Sequence, residues 1–140
     1  MTEYDTLRTL IIDDDKSNLI ILSDLLRQSV RVILANNGRQ GLEKAERYLP
    51  DLILLDLVMP DLDGYAVLER LKSSTITNHI PVILITSCEN PQAQQKGLQL
   101  GACDCIQKPF HADIVEARVR TYLEVSQHRK RLSETASQSY

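Results

Sequence analysis

The sequence predicts an α/β protein: a doubly wound parallel sheet of five strands with five helices, the last of them extended. Two observations carry that expectation. Short apolar runs alternate five times with stretches of helical period, a pattern that favours a parallel sheet covered on both faces and joined by right-handed crossovers. Polar groups also stand at the ends of successive runs. Leu10-Ile11-Ile12 ends in Asp13-Asp14-Asp15, and Asp51-Leu52-Ile53-Leu54-Leu55 ends in Asp56. Pro81-Val82-Ile83-Leu84-Ile85 ends in Thr86-Ser87, and Cys103-Asp104-Cys105-Ile106-Gln107 ends in Lys108-Pro109. The carboxyl ends of parallel strands form one rim, so these groups are expected to meet there.

Each element has its own signal. Leu7 to Asp13 reads as the first strand. Lys16 to Gln28 reads as a helix because Leu19, Ile20, Leu22, Leu25 and Leu26 fall near helical spacing. Val30 to Ala35 is the second strand, punctuated by Asn36-Asn37-Gly38. Gln40 to Tyr48 is a short helix that stops before Pro50. Leu52 to Asp56 is almost wholly apolar, as a strand covered on both faces must be. Met59 to Gly64 is a turn-rich loop, with Asp63 placed to cap a helix through Lys72. Val82 to Thr86 is the fourth strand, and Gln92 to Leu100 is a helix closed by Gly101. Cys103 to Gln107 is the fifth strand.

Ala112 to about Leu132 is the last helix, and about 21 residues at 1.5 Å each span roughly 30 Å. Its first half carries Ile114, Val115, Val119, Tyr122 and Leu123. Its second half, Gln127 to Arg131, is polar on every side and is expected to leave the globule. Ser133 to Tyr140 has the composition of a disordered tail. The division expected is one domain over residues 1–124 and a helical extension and tail over 125–140, the latter suited to link an output domain.

Composition excludes several classes. The chain has 140 residues, enough for one core without disulfides. A formal charge of -3 argues against general nucleic-acid binding. No run approaches the ~20 apolar residues of a membrane span, and no signal-peptide pattern opens the chain. Three cysteines, Cys88, Cys103 and Cys105, fit reduced thiols in a cytoplasmic protein. Cys103 and Cys105, two apart on a strand, are expected to share a face and pack. Cys88 falls on the rim, where nothing in the sequence lowers its pKa, so an inert thiol is the default reading over an oxidisable one. His79, His111 and His128 pair with no nucleophile pattern, so no triad is expected. Lys130 and Arg131 read as a solvated face.

The rim residues point to phosphoryl chemistry. Asp13, Asp14 and Asp56 close together would repel one another, and a hard cation such as Mg2+ relieves that repulsion with carboxylates and phosphate oxygens. Asp15 keeps the bland role of capping the next helix. Asp56 is the candidate nucleophile, since a carboxylate can accept a phosphoryl group when the charge on it is neutralised. Lys108 would supply positive charge and Thr86 a hydroxyl, with backbone N–H groups completing the cradle. The bland alternatives are a surface lysine and a hydroxyl satisfied by backbone. A cis bond before Pro109 would aim Lys108 inward.

These residues resemble the receiver domain of two-component response regulators. The match runs through Leu10 to Asp15, Asp51 to Gly64, Pro81 to Ser87, Gly101-Ala102 and Lys108-Pro109-Phe110, over about residues 7 to 124. The resemblance implies a flavodoxin-like sheet in the order 2-1-3-4-5, with Asp56 accepting phosphate from a sensor histidine kinase or phosphotransfer protein. It implies that Asp13, Asp14, Asp56 and the carbonyl of Val58 bind Mg2+. Thr86, Ser87, Lys108 and Val58 would hold the phosphate, and Thr86 and position 105 would form the switch. The chain would catalyse only its own phosphoryl transfer and dephosphorylation. Its partners would be an output domain (in some members one that makes or degrades a cyclic dinucleotide) or an effector protein, with a homodimer also considered and neither nucleic acid nor membrane insertion expected.

Three positions depart from the pattern. Receivers usually carry an aromatic residue where this chain has Cys105, which removes the bulky reporter of the switch. Val58 and Cys88 stand two residues after Asp56 and Thr86, and neither orients a hydrolytic water readily, so a long-lived phosphoform is expected. Val58 also weighs against a phosphatase of the haloacid-dehalogenase type, which wants a second Asp there. Three aspartates after the first strand weigh against a flavodoxin-like cofactor binder. A receiver that binds partners without accepting phosphate is the remaining alternative.

Overall fold

In the computed structural model, which describes residues 7–87 and 91–138 (side chains to residue 132), strand and helix alternate throughout. The elements are β1 (Arg8–Ile12), α1 (Lys16–Leu26), β2 (Arg31–Ala35), α2 (Gly38–Tyr48) and β3 (Leu52–Asp56). There follow α3 (Gly64–Ser73), β4 (Val82–Thr86), α4 (Pro91–Gln99), β5 (Asp104–Gln107) and α5 (Ala112–Gln138). All strand pairs are parallel, in the order β2-β1-β3-β4-β5. The order reverses between β1 and β3, so the crevice of a doubly wound sheet opens beyond their carboxyl ends.

Side-chain alternation along the strands builds two cores. Ile11, Leu52, Leu54, Ile83, Ile85 and Ile106 join Leu22 of α1 and Val115, Val119 and Leu123 of α5. Leu10, Ile12, Ile53, Leu55, Val82 and Leu84 join Ala45 of α2 and Val67 and Leu71 of α3. Every residue of β3 and β4 is buried, which is why both read as unbroken apolar runs. Each of their apolar side chains contributes about 1.5–3 kcal/mol by leaving water, and the two strands thereby become rigid mounts for whatever follows them.

The caps explain the helix boundaries. Asp15 Oδ1 accepts from Ser17 N at 2.8 Å, and Asp63 Oδ1 from Ala66 N at 2.9 Å. Asn37 Oδ1 accepts from Gln40 N at 2.8 Å, so α2 starts at Gly38 rather than Gln40. Gly101, at φ +112°, closes α4 in the left-handed region where a side chain would be strained. The α1 helix stops at Leu26, short of Gln28, and Ile20 is exposed, since the buried stripe is Leu19, Leu22 and Leu26.

Two expectations are corrected. Cys103 precedes β5, donates its N–H to Val82 O at 2.9 Å and packs on the α1–α5 core, whereas Cys105 packs on the α2–α3 core. The period-2 argument fails for Cys103 because it lies outside the strand. The second correction concerns α5, which continues past Leu132 to Gln138, so residues 133–138 are helical in backbone. Its polar half does not leave at Gln127. Ser126 Oγ donates to Asp51 O at 2.9 Å, Arg129 donates to His79 O at 3.1 Å, and Lys130 Nζ lies 2.9 Å from Asp51 Oδ1. The polar residues meet the amino-terminal edge of the sheet, where backbone groups and one carboxylate await them. Lys130 is therefore an ion-pair partner rather than part of a merely solvated face. Among the described residues, no helix is long and apolar enough to cross a membrane.

Candidate functional site

The site grows from the ends of β1, β3, β4 and β5. Asp13 follows β1 and is fully buried; its N–H donates to Ala35 O at 3.1 Å, which holds the backbone against β2. Asp13 Oδ1 accepts from Asp15 N at 2.9 Å, while the buried Oδ2 has no hydrogen-bond partner. Asp14 is exposed beside it. Asp56 ends β3 and is 3% exposed. One carboxylate oxygen from each of Asp13, Asp14 and Asp56 lies within 4.8 Å of the others.

Lys108 reaches this cluster from the end of β5. Its backbone N–H donates to Thr86 O at 2.9 Å, fixing the turn after β5 to the end of β4, and the Lys108–Pro109 bond is cis. Lys108 Nζ lies 3.5 Å from Asp56 Oδ1 and 4.0 Å from Asp13 Oδ2. Val58 N is 3.4 Å from Asp56 Oδ1, at the loop position where a backbone donor was expected. Thr86 is buried at the end of β4, next to the β3 end in register, and Ser87 is exposed after it.

The electrostatics are those of an anionic pocket with too little positive charge. Burial pushes the Asp56 carboxyl up to about 6, and the neighbouring Asp13 adds to the rise, against the opposing pull of Lys108 and the Val58 N–H. At neutral pH most Asp56 remains ionised and available as a nucleophile. The residues fit a divalent cation on two grounds. Three carboxylate oxygens converge, and Asp13 Oδ2 is a buried acceptor left without a donor, a costly state that a metal would relieve.

Other expected residues stand apart. Cys105 lies in a groove of about 510 Å³ between α4 and α5, whose walls include Lys108 and none of the three aspartates. Burial pushes the thiols of Cys103 and Cys105 up, so both stay protonated and inert. Cys88 lies outside the described residues. Val58 is 71% exposed, and its contact with Asp56 is through the backbone N–H.

Two contributors were not legible. Gly64, at the start of α3, presses on the acceptor loop: an added Cβ would lie 2.5 Å from Asp56 O and 2.6 Å from Leu57 Cα. Its N–H donates to Leu57 O at 2.9 Å. Asp61 accepts from Gly38 N at 3.2 Å and Arg39 N at 3.3 Å, tying that loop to α2. The Asp63-Gly64 pair signalled a helix start, but only three-dimensional proximity reveals why no side chain fits there.

Comparison with known proteins places this geometry in context. The profile described as the response regulator receiver domain matches residues 9–120. The chain is 41% identical over 115 residues to a Vibrio cholerae protein named "probable cyclic di-GMP phosphodiesterase", covering 82% of this chain and 26% of that one. It is 40% identical to response regulator PleD of Caulobacter vibrioides, covering 81% and 25%. The chain thus spans about a quarter of the length of these relatives. Among solved structures, a CheY-like response regulator receiver domain protein from Methanospirillum hungatei JF-1 superposes with a TM-score of 0.82 at 25% identity, covering 89% of this chain and 99% of that one.

Proposed function

Since the chain belongs to the response regulator receiver domain family, we propose that it is a signalling switch thrown by phosphorylation of Asp56. The observation that carries this reading is the meeting of Asp13, Asp14, Asp56 and Lys108 from three different strand ends. An ionised Asp56 oxygen attacks the phosphorus of a phosphohistidine on a sensor kinase or phosphotransfer protein. The P–O bond to Asp56 forms as the P–N bond breaks, and the histidine nitrogen leaves with its electron pair. Lys108 faces Asp56 Oδ1 and offsets charge on the transferred group. The Val58 N–H, Thr86 and Ser87 complete the donor set around the phosphoryl oxygens. Asp13, Asp14, Asp56 and the Val58 carbonyl would hold Mg2+, which when bound supplies charge neutralisation for the anionic pocket.

The product acts through changed shape rather than through turnover of a separate substrate. The relatives named above are some four times longer than the stretch they share with this chain. The output therefore belongs to a domain or effector outside that stretch, of which a cyclic-dinucleotide enzyme is one instance. The working compartment is the cytoplasm, where histidine kinases present their phosphoryl groups.

The test is incubation with acetyl phosphate and Mg2+, read by intact mass. Wild type gains one phosphate and Asp56→Ala gains none. No gain in wild type would turn the reading to a phosphorylation-independent binding module. Because the exposed Val58 side chain offers no hydrogen bond to a water over the acceptor, decay of the phosphoform should be slow, and Val58→Asn should shorten its lifetime. Equal lifetimes in the two proteins would count against that account.

A further inference from the structure

The α4 helix packs on the rim through little buried surface of its own. Its one buried residue is Gly97, where an added Cβ would overlap Leu84 Cδ1. On the flank facing α5 the helix borders the open groove of about 510 Å³, which all four residues of β5 line, the small Cys105 among them. On the opposite flank stands Tyr65. Its hydroxyl donates to Ala93 O at 2.9 Å, Lys96 Nζ lies 4.4 Å above its ring centre, and its Cε1 lies 3.9 Å from the Cβ position of Gly97. Tyr65 immediately follows Gly64, the residue pressed on Asp56 O and hydrogen-bonded to Leu57 O.

We propose that Tyr65 is the tether through which the acceptor loop holds α4, and that release of this tether is how a change at Asp56 reaches the α4 surface. The inference rests on the reading of Asp56 as phosphoacceptor. Its physical content is a short chain of contacts: Asp56 and Leu57 backbone, Gly64, the Tyr65 side chain, then Ala93 and Lys96 of α4. Gly64 has no side chain to yield, so a shift of the loop after β3 is passed to the start of α3. A shift there displaces the phenol hydroxyl relative to Ala93 O, and hydrogen bonds weaken steeply with misalignment. Because Gly97 is the one buried residue of α4 whereas β3 and β4 are buried throughout, loss of this contact alters the helix more than it alters the sheet. Tyr65 is a positioning residue; it touches no reacting atom.

Hydrogen exchange of the full chain, read by mass spectrometry with and without acetyl phosphate and Mg2+, tests the tether. In the unphosphorylated protein Tyr65→Phe removes one hydrogen bond and keeps the ring. The α4 amides (91–99) should exchange roughly fivefold faster, the factor a single net hydrogen bond is worth. Amides of β3 and β4 should keep their wild-type rates. Tyr65→Leu, which also removes the ring under Lys96, should exceed Tyr65→Phe. On phosphorylation, wild type should gain exchange in α4, and that gain should shrink in Tyr65→Phe while its mass still rises by one phosphate. Wild-type rates in α4 of Tyr65→Phe would overturn the tether, as would a rise shared equally by β3 and β4. If wild type takes no phosphate, the phosphoacceptor reading fails, yet the unphosphorylated comparison still decides whether Tyr65 holds α4.

Discussion

At Asp56 burial and chemistry pull in opposite directions. The folded protein holds the Asp56 proton up to about pH 6, against 3.8 for an ordinary aspartate. A raised acid contributes stability that is full below about pH 4 and lost as pH rises through about 6. At neutral pH the metal-free protein thus carries a penalty of about 3 kcal/mol at this residue. Asp56→Asn should therefore be more stable than wild type at pH 7.5 in metal-free buffer, with the advantage shrinking below pH 5. Urea denaturation at both pH values checks this, and an advantage independent of pH would refute it. Thr9 is a quieter case. Its hydroxyl is fully buried with no hydrogen-bond partner, and an unmatched buried hydroxyl costs about 1–3 kcal/mol. Thr9→Val should raise the thermal midpoint by a few degrees; a fall would mean that the hydroxyl has a water partner. Asp15 was readable as a cap because capping is a local rule. The orphaned Asp13 Oδ2 was not, because burial by distant strands decides it.

At the scale of elements, legibility followed the range of the interaction. The β3 and β4 strands and the caps of α1 and α3 were plain in the sequence, since periodicity and capping act over a few residues. The second half of α5 was misread for the same reason. Gln127 to Arg131 has no apolar stripe, and nothing near it in the chain announces that Asp51 and the His79 carbonyl will meet it. Asp51 opens the third apolar run, and the sequence assigned it no role of its own. It is instead a hub: Oδ2 accepts from Arg8 N at 2.8 Å, Oδ1 pairs with Lys130, and its carbonyl takes the Ser126 hydroxyl. Lys130→Met should cost about 1 kcal/mol, since Lys130 is half exposed and solvent screens the pair. A double-mutant cycle with Asp51→Asn, followed by thermal unfolding, should show coupling of the same sign. Strict additivity would mean the pair contributes nothing.

For the whole molecule, topology does what no single segment can. Asp13, Asp56 and Lys108 lie far apart along the chain and come together only because β1, β3 and β5 run the same way in one sheet. The sequence resemblance anticipated that order, while periodicity alone reached only a parallel sheet. A divalent cation held by the three crowded carboxylates would make the fold more stable than the metal-free state. Mg2+ at a hundredfold excess over its dissociation constant should add about 2.7 kcal/mol and raise the thermal midpoint of wild type by several degrees. Asp13→Asn should lose most of that rise, with sodium chloride of equal ionic strength as control; an equal rise in both proteins would place the ion elsewhere. The docking of α5 at Asp51 carries a geometric corollary. With Lys130 clamped, each later residue of a continuing helix advances about 1.5 Å and rotates about 100°. A module borne on that helix would take its heading from a count of residues: one inserted amino acid would swing it by more than a quarter circle, whereas seven would return nearly the same bearing about 10 Å further out.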